Sequence, residues 1–249
     1  MLLKSSTNDD TAQAEQAVSH DPFQIKIRHC GKINSADSII WPWAFPKVVK
    51  EYLNTHGELL HLEPGSSLAL EKETKQLVVI IQGAVKASNH VFKHKHSILD
   101  FYLEGDSFEY SHEIILGANI EYETIQDSYI YIGPVEFDEP TRRQNSEFTR
   151  FLLTKRKQKN LEIQTHLSIL AIFNAQEKVA FFLVDMYRRL ATKKSIHLPM
   201  SRVEISHYLS LTPETVSREL NKLDHLGYLK LRRADIVFYN IDALIKLYS

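Results

Sequence analysis

The 249-residue chain has one cysteine, Cys30. No intrachain disulfide framework is therefore available, nor the set of about four thiolates that an iron–sulfur cluster requires. Glycine is scarce, at 8 residues, and neither a GxGxxG nor a GxxxxGK pattern occurs, which removes the phosphate-cradling loops of nucleotide-dependent enzymes. No nucleophile, base and orienting group stand at a recognisable spacing, so the reading is of a protein that is not an enzyme. Apolar runs fall far short of the roughly 20 residues that span a bilayer. The first thirty residues carry no apolar secretory segment, and with the lone thiol this makes the cytoplasm the expected compartment. Lys and Arg are missing from residues 96–141, a stretch with 11 Asp and Glu. An anionic ligand there would meet repulsion without a charge-assisted donor.

What is present is divided unevenly. The formal net charge of −1 conceals an acidic half and a basic half. Residues 1–140 hold 11 Lys and Arg against 21 Asp and Glu, while residues 141–249 hold 19 against 10. Only the second half is suited to a polyanion.

That half contains residues 198–229, which read as two short helices joined by a tight turn. Ser201 followed three residues later by Glu204 is a capping box, in which each side chain satisfies a backbone N–H at a helix start. Thr212 caps a second helix with Pro213 in its first turn, where the missing N–H costs nothing. The second helix is expected to run to about Leu226, with Gly227 as a left-handed stop. Val216, Leu220 and Leu223 share one buried stripe, which leaves Glu214, Ser217 and Arg218 outward within the first two turns. Arg reads guanine through paired hydrogen bonds, Glu accepts from cytosine, and Ser serves either role. Two short strands, 228–231 and 236–239, follow around the charged turn 232–235 as a wing. Ser201, Arg202, Thr212 and Thr215 at the helix starts, with Arg232 and Arg233 in the wing, are candidates for phosphate contacts.

These residues resemble the helix-turn-helix signature of the CRP/FNR family of bacterial transcription regulators. The resemblance rests on residues 198–202, Ile205, Tyr208, Leu209, Leu211, Thr212, the run 214–218, Leu220, Leu223 and Gly227. Upstream, Pro64-Gly65, Gly83 and Gly105-Asp106 sit where the family's β-roll places its turn glycines. The resemblance implies an α+β chain with an N-terminal antiparallel β-roll, a long dimerisation helix and a C-terminal winged helix-turn-helix. The expected boundaries are 1–20 for a mobile tail poor in large apolar side chains, 21–140 for the roll, 141–170 for the helix and 171–249 for the DNA-binding domain. It further implies a homodimer on double-stranded DNA that engages RNA polymerase. Glu214, Ser217 and Arg218 match the FNR-type reading helix, and so imply palindromic operators with TTGAT-like half-sites.

Read from the residues alone, 59–62, 77–81, 85–87, 98–102 and 129–132 are strand signals separated by turn residues. Trp41-Pro42-Trp43 reads as aromatics packed into the roll. Residues 141–170 lack Pro and Gly and read as one helix. Phe148, Phe151, Leu152 and Leu161 are its candidate dimer contacts. The charged turn 155–160 interrupts the seam, and should face water or the acidic roll. Asn174 with Glu177 caps a following helix with the stripe Val179, Leu183, Met186 and Leu190.

The effector is not named by the sequence. The Gly105-Asp106 turn is not followed by the Arg and Gly-Glu cassette of cyclic-nucleotide-binding relatives, so cyclic AMP is not expected. No cofactor or metal is assigned. A haem- or metal-responsive reading would use His112, or the group His90, His94 and His96, against the plainer reading of solvated loop and strand-edge side chains. A second alternative is an adaptor that docks protein partners through the winged helix, and steep salt dependence of DNA binding would separate it from a regulator.

Overall fold

Strand β4 (Gln76–Gln82) shows no polar alternation because both of its faces are covered. Val78 and Ile80 point into the roll beside Leu60, Leu62, Ile130 and Ile132. Leu77, Val79 and Ile81 point the other way, under a helix. The computed structural model describes residues 30–32, 45–68, 75–92, 95–110, 114–115, 118–135, 146–190 and 194–249. The expected tail, Trp41-Pro42-Trp43 and His112 lie outside these residues, as do residues 141–145.

The roll is built from two antiparallel sheets. One runs in the order β1 (Cys30–Lys32), β2 (Glu58–Leu62), β10 (Ser128–Pro134), β4 and β7 (Ser107–Tyr110). The other runs β3 (Ser67–Leu68), β9 (Ala118–Thr124), β5 (Ala84–Phe92) and β6 (Lys95–Leu103), with β8 (Ile114–Ile115) paired to β9. Gly83 makes the turn from the first sheet to the second. Its φ of +102° suits glycine, and a Cβ there would lie 2.7 Å from the Asp127 carbonyl oxygen.

Helix α1 (Lys47–His56) enters after Pro46 and buries Val49, Tyr52 and Leu53 against the outer face of the first sheet. The long helix α2 (Ser146–Ile172) follows the roll, and α3 (Ala175–Leu190) follows α2. Asn174 caps α3 as expected: its Oδ1 accepts from the Glu177 N–H at 3.1 Å, and Glu177 returns a carboxylate to the Asn174 N–H at 2.8 Å. Val179, Leu183 and Met186 are buried, with Leu190 packed at the margin.

The C-terminal unit holds α4 (Arg202–Leu209), α5 (Pro213–His225), the wing strands β12 (Leu229–Arg232) and β13 (Asp235–Phe238), and the short α6 (Ile241–Ile245). Strand β11 (Ser195–His197) completes the wing sheet in the order β11-β13-β12. Its core continues into the roll, since Ala84, Ile98, Phe101 and Leu103 join one buried cluster with Val179, Ile205, Leu220 and Phe238. The fold is α+β, with a cyclic-nucleotide-binding-like roll in front of the helix-turn-helix.

Candidate nucleic-acid interface

The caps of the two short helices form with the expected donors. Ser201 Oγ accepts from the Glu204 N–H at 3.2 Å, and Glu204 Oε2 accepts from the Ser201 N–H at 2.8 Å. Thr212 Oγ1 accepts from the Thr215 N–H at 3.2 Å, with Pro213 as the first residue of α5. The turn is closed by Ser210 at φ 52° and by the Leu211 N–H, which donates to the Ser206 carbonyl oxygen at 2.9 Å. Gly227 at φ +74° follows the end of α5. These bonds fix the direction of α5, and its side chains sort by the stripe. Val216, Leu220 and Leu223 are buried, Glu214 and Arg218 are exposed, and Ser217 is half-exposed beside them.

The outward face has usable chemistry. Its own N–H and the Thr212 hydroxyl at the helix start hold the Glu214 carboxyl below the usual carboxylate range, so it is an acceptor at neutral pH. Arg218 has 67 % of its side-chain surface open. Its Nε donates to Glu219 Oε1 at 3.2 Å. Glu219 itself is buried, 7 % exposed, a carboxylate on the apolar side of the helix that stripe counting does not anticipate.

Around this face, Arg232 and Arg233 are exposed at the wing turn, with Arg233 at φ 59°. Arg202 and Thr215 are half-exposed at the helix starts. Ser201 and Thr212 are exposed but engaged in caps, so what they retain for an outside acceptor is limited to a hydroxyl proton, which in Thr212 is turned back on its own helix start, towards Glu214 and Thr215 Oγ1.

Helix α2 differs from the expected seam. Phe148 and Leu152 are 0 % and 6 % exposed, packed with Tyr52, Val49 and Leu53 of the chain's own α1, and the Phe148 ring lies 4.2 Å from that of Tyr52. Phe151 is half-buried in the same cluster. These three are core residues of the junction between roll and helix, because the start of α2 lies on the first sheet's outer layer. Leu161 is 55 % exposed, on a face it shares with Leu153, Leu167 and Ile172 at 58, 60 and 76 %.

The charged turn 155–160 divides between the two sides. Arg156 makes a paired contact to Glu109 at 2.6 Å, and Lys159 forms an ion pair with Asp100, so both reach the acidic roll. Lys157 and Asn160 are exposed.

A cavity of about 380 Å³ lies where the roll, α2, α3 and α4 meet, lined among others by Asp100, Tyr102, Lys159, His166, Arg189 and Tyr208. Several of its charges are paired within the chain. Asp106 accepts from the Leu103 N–H at 2.7 Å and from Arg189 Nη2 at 2.5 Å, and Arg189 also donates to the Phe101 carbonyl oxygen at 2.7 Å. Tyr208 stacks on His166 with centroids 4.2 Å apart. Burial pushes the Tyr208 hydroxyl up to about 12. The side chains of His90, His94 and His96 lie outside the described residues. Among the described residues no group of three or more His, Cys, Asp and Glu is arranged to hold a metal ion, and no helix is long and apolar enough to cross a membrane.

Residues 177–247 match the Crp-like helix-turn-helix domain. Nitrogen fixation regulation protein FixK of Rhizobium meliloti is 27 % identical over 221 residues, 88 % of this chain and 91 % of that protein. Fumarate and nitrate reduction regulatory protein of Escherichia coli K12 is 28 % identical over 192 residues, 70 % and 72 % of the two chains. The structure of FixK2 from Bradyrhizobium japonicum superposes with a TM-score of 0.68 at 28 % identity, covering 78 % of this chain and 98 % of that one. A CooA mutant from Carboxydothermus hydrogenoformans superposes at 0.61 with 20 % identity, 82 % and 91 % covered, and so shares the fold.

Proposed function

We propose, for a chain that belongs to the CRP/FNR family of DNA-binding transcription regulators, that it binds palindromic operators with TTGAT-like half-sites as a homodimer. The observation that carries this reading is the exposed face Glu214, Ser217 and Arg218 on a doubly capped α5, flanked by a wing with Arg232 and Arg233 at its tip. In the assignment, Arg218 reads guanine, Glu214 accepts from cytosine and Ser217 hydrogen-bonds beside them, while Arg202, Thr215 and the wing arginines hold phosphates. Two copies related by a two-fold axis place two α5 helices about one turn of DNA apart. The dimer surface would be the outward face of α2 that carries Leu153, Leu161, Leu167 and Ile172, which a lone chain leaves in water.

The effector is proposed to be neither cyclic AMP nor an iron–sulfur cluster. Asp106 and Glu109 follow the Gly105 turn as acceptors for Arg189 and Arg156, so a phosphodiester at this turn would compete against two carboxylates for cations they already hold. RNA polymerase is the proposed protein partner, and the cytoplasm the proposed compartment.

Titration of the full chain against a duplex with two inverted TTGAT half-sites tests the reading. The matched duplex should bind at least about a thousandfold tighter than a scrambled one at physiological salt, with affinity falling steeply as salt rises. Equal affinity for both duplexes would remove the assignment.

A further inference from the structure

Glu219 occupies a position where the spacing of α5 calls for an apolar side chain. It lies three residues after Val216 and four before Leu223, and both of those are 0 % exposed. A carboxylate on that side is unfavourable unless a donor meets it. The donor is Nε of the adjacent Arg218, at 3.2 Å, and the two side chains straddle the edge of the core, with 67 % of the Arg218 surface open and 10 % of that of Glu219.

We infer that Glu219 is a positioning residue for Arg218: it holds the guanidinium by Nε from behind, and leaves Nη1 and Nη2 for a guanine edge. The inference rests on the reading of Arg218 as the guanine-reading residue. A guanidinium carries five N–H donors in a rigid plane, so fixing one edge fixes the direction of the others. Neither Nη has an intramolecular partner among the described residues. An unrestrained Arg loses several torsional freedoms on binding a base, and a partner in the free protein removes part of that loss beforehand. The carboxylate sits behind the helix surface, with its charge balanced by Arg218, so its repulsion of DNA phosphates is small.

Full-length Glu219→Leu and Glu219→Gln separate positioning from a structural role. Leucine completes the apolar stripe and should leave the melting temperature unchanged or raised. It should nevertheless bind the matched duplex about threefold to tenfold more weakly, with a similar narrowing of preference for guanine over adenine at the position Arg218 reads. Nonspecific binding should be unaffected. Glutamine keeps an acceptor for Nε and should restore most of the preference. In the free protein, the Arg218 Nε–H signal, assigned by its loss in Arg218→Lys, should exchange slowly with solvent and speed up in Glu219→Leu.

A folded Glu219→Leu with unchanged guanine preference, beside an Arg218→Ala that loses it, would overturn the inference alone. An Arg218→Ala that keeps the preference would overturn the base reading beneath it. Should Glu219→Leu fail to fold, rapid exchange of the Arg218 Nε–H in the unsubstituted protein would overturn the inference by itself.

Discussion

At the scale of the residue, the side chains proposed to face an operator divide into those assigned to sequence reading and those assigned to attachment. Arg218→Ala should weaken a matched palindrome by about 1–3 kcal/mol per half-site and flatten the preference at one base, because a paired Arg–guanine contact contributes about that much. Arg232→Ala, at the exposed wing turn, should weaken matched and mismatched duplexes alike and reduce the salt slope by about one. Titrations on both duplexes at two salt concentrations distinguish them, and an Arg232→Ala that changes base preference would contradict the assignment. The caps, the stripe and the outward trio were legible because each follows from a spacing along one helix. Glu219 was not, since the rule that assigns a helix face sorts by polarity and a carboxylate sorts outward. Among the described residues it is its neighbour's guanidinium that makes the buried position tolerable, and that pairing is a matter of three-dimensional placement.

At the scale of the element, α2 shows how far periodicity reaches. That a helix lies there was readable from composition, but which of its apolar residues serve the chain and which remain for a partner was not. Helix α1 took Phe148, Phe151 and Leu152 into the junction core, and α1 had gone unrecognised as a helix after Pro46. Strands β3 and β7 were missed for a related reason: short strands such as β7 (Ser107–Tyr110) gain their apolar partners from across the sheet. Phe148→Asp should therefore destabilise the chain by about 3–5 kcal/mol, through a carboxylate buried at the junction. Leu161→Asp with Leu167→Asp should leave the fold intact and give a monomer that has lost operator binding. Leu153, Asn160 and Leu167 recur at seven-residue spacing, as paired helices require, and a polar residue between two leucines favours a single register. Lys157 is exposed and lies four residues from Leu153 and Leu161, on their face of the helix, so Lys157→Glu probes the proposed seam and not the contacts to the roll. Sedimentation together with thermal melting separates these cases. A folded monomer from Phe148→Asp, or a dimer surviving the double substitution, would place the seam elsewhere.

At the scale of the molecule, the opposite charges of the two halves meet inside the chain. Arg156 with Glu109, Lys159 with Asp100 and Arg189 with Asp106 join helices of the basic half to the acidic roll. A fourth tie reaches the helix-turn-helix itself: Lys86 on β5 lies 3.0 Å from Glu204 and 2.9 Å from Glu123. Glu204 thus serves two structures at once, the cap of α4 and the contact with the roll. Burial pushes its carboxyl up, but the Ser201 N–H and the Lys86 ammonium more than offset this and hold it below the usual range. Burial pushes the Lys86 ammonium down, and Glu123 with Glu204 reverse that to a net rise. The signs define a window. Glu204 contributes its stability above its unfolded value of 4.5, and loses it as pH falls through the lower folded one. Lys86 contributes below its unfolded 10.5, and loses it as pH rises through the higher folded one. The tie is therefore constant from about pH 5 to pH 10 and weakens on the acid side first. Glu204→Gln tests this, because glutamine still serves a capping box and Lys86 keeps Glu123 as its partner. At pH 7 the variant should lose about 1 kcal/mol, or about 2–4 °C in melting temperature for a chain of this size. At a pH below the lowered folded value of Glu204 the gap should close, since the unsubstituted side chain is then protonated and the two proteins differ little in charge at that position. A gap that keeps its size between the two pH values would mean that the contact between roll and helix-turn-helix is held by Phe101, Tyr208 and the apolar cluster around them, with the ion pair a bystander.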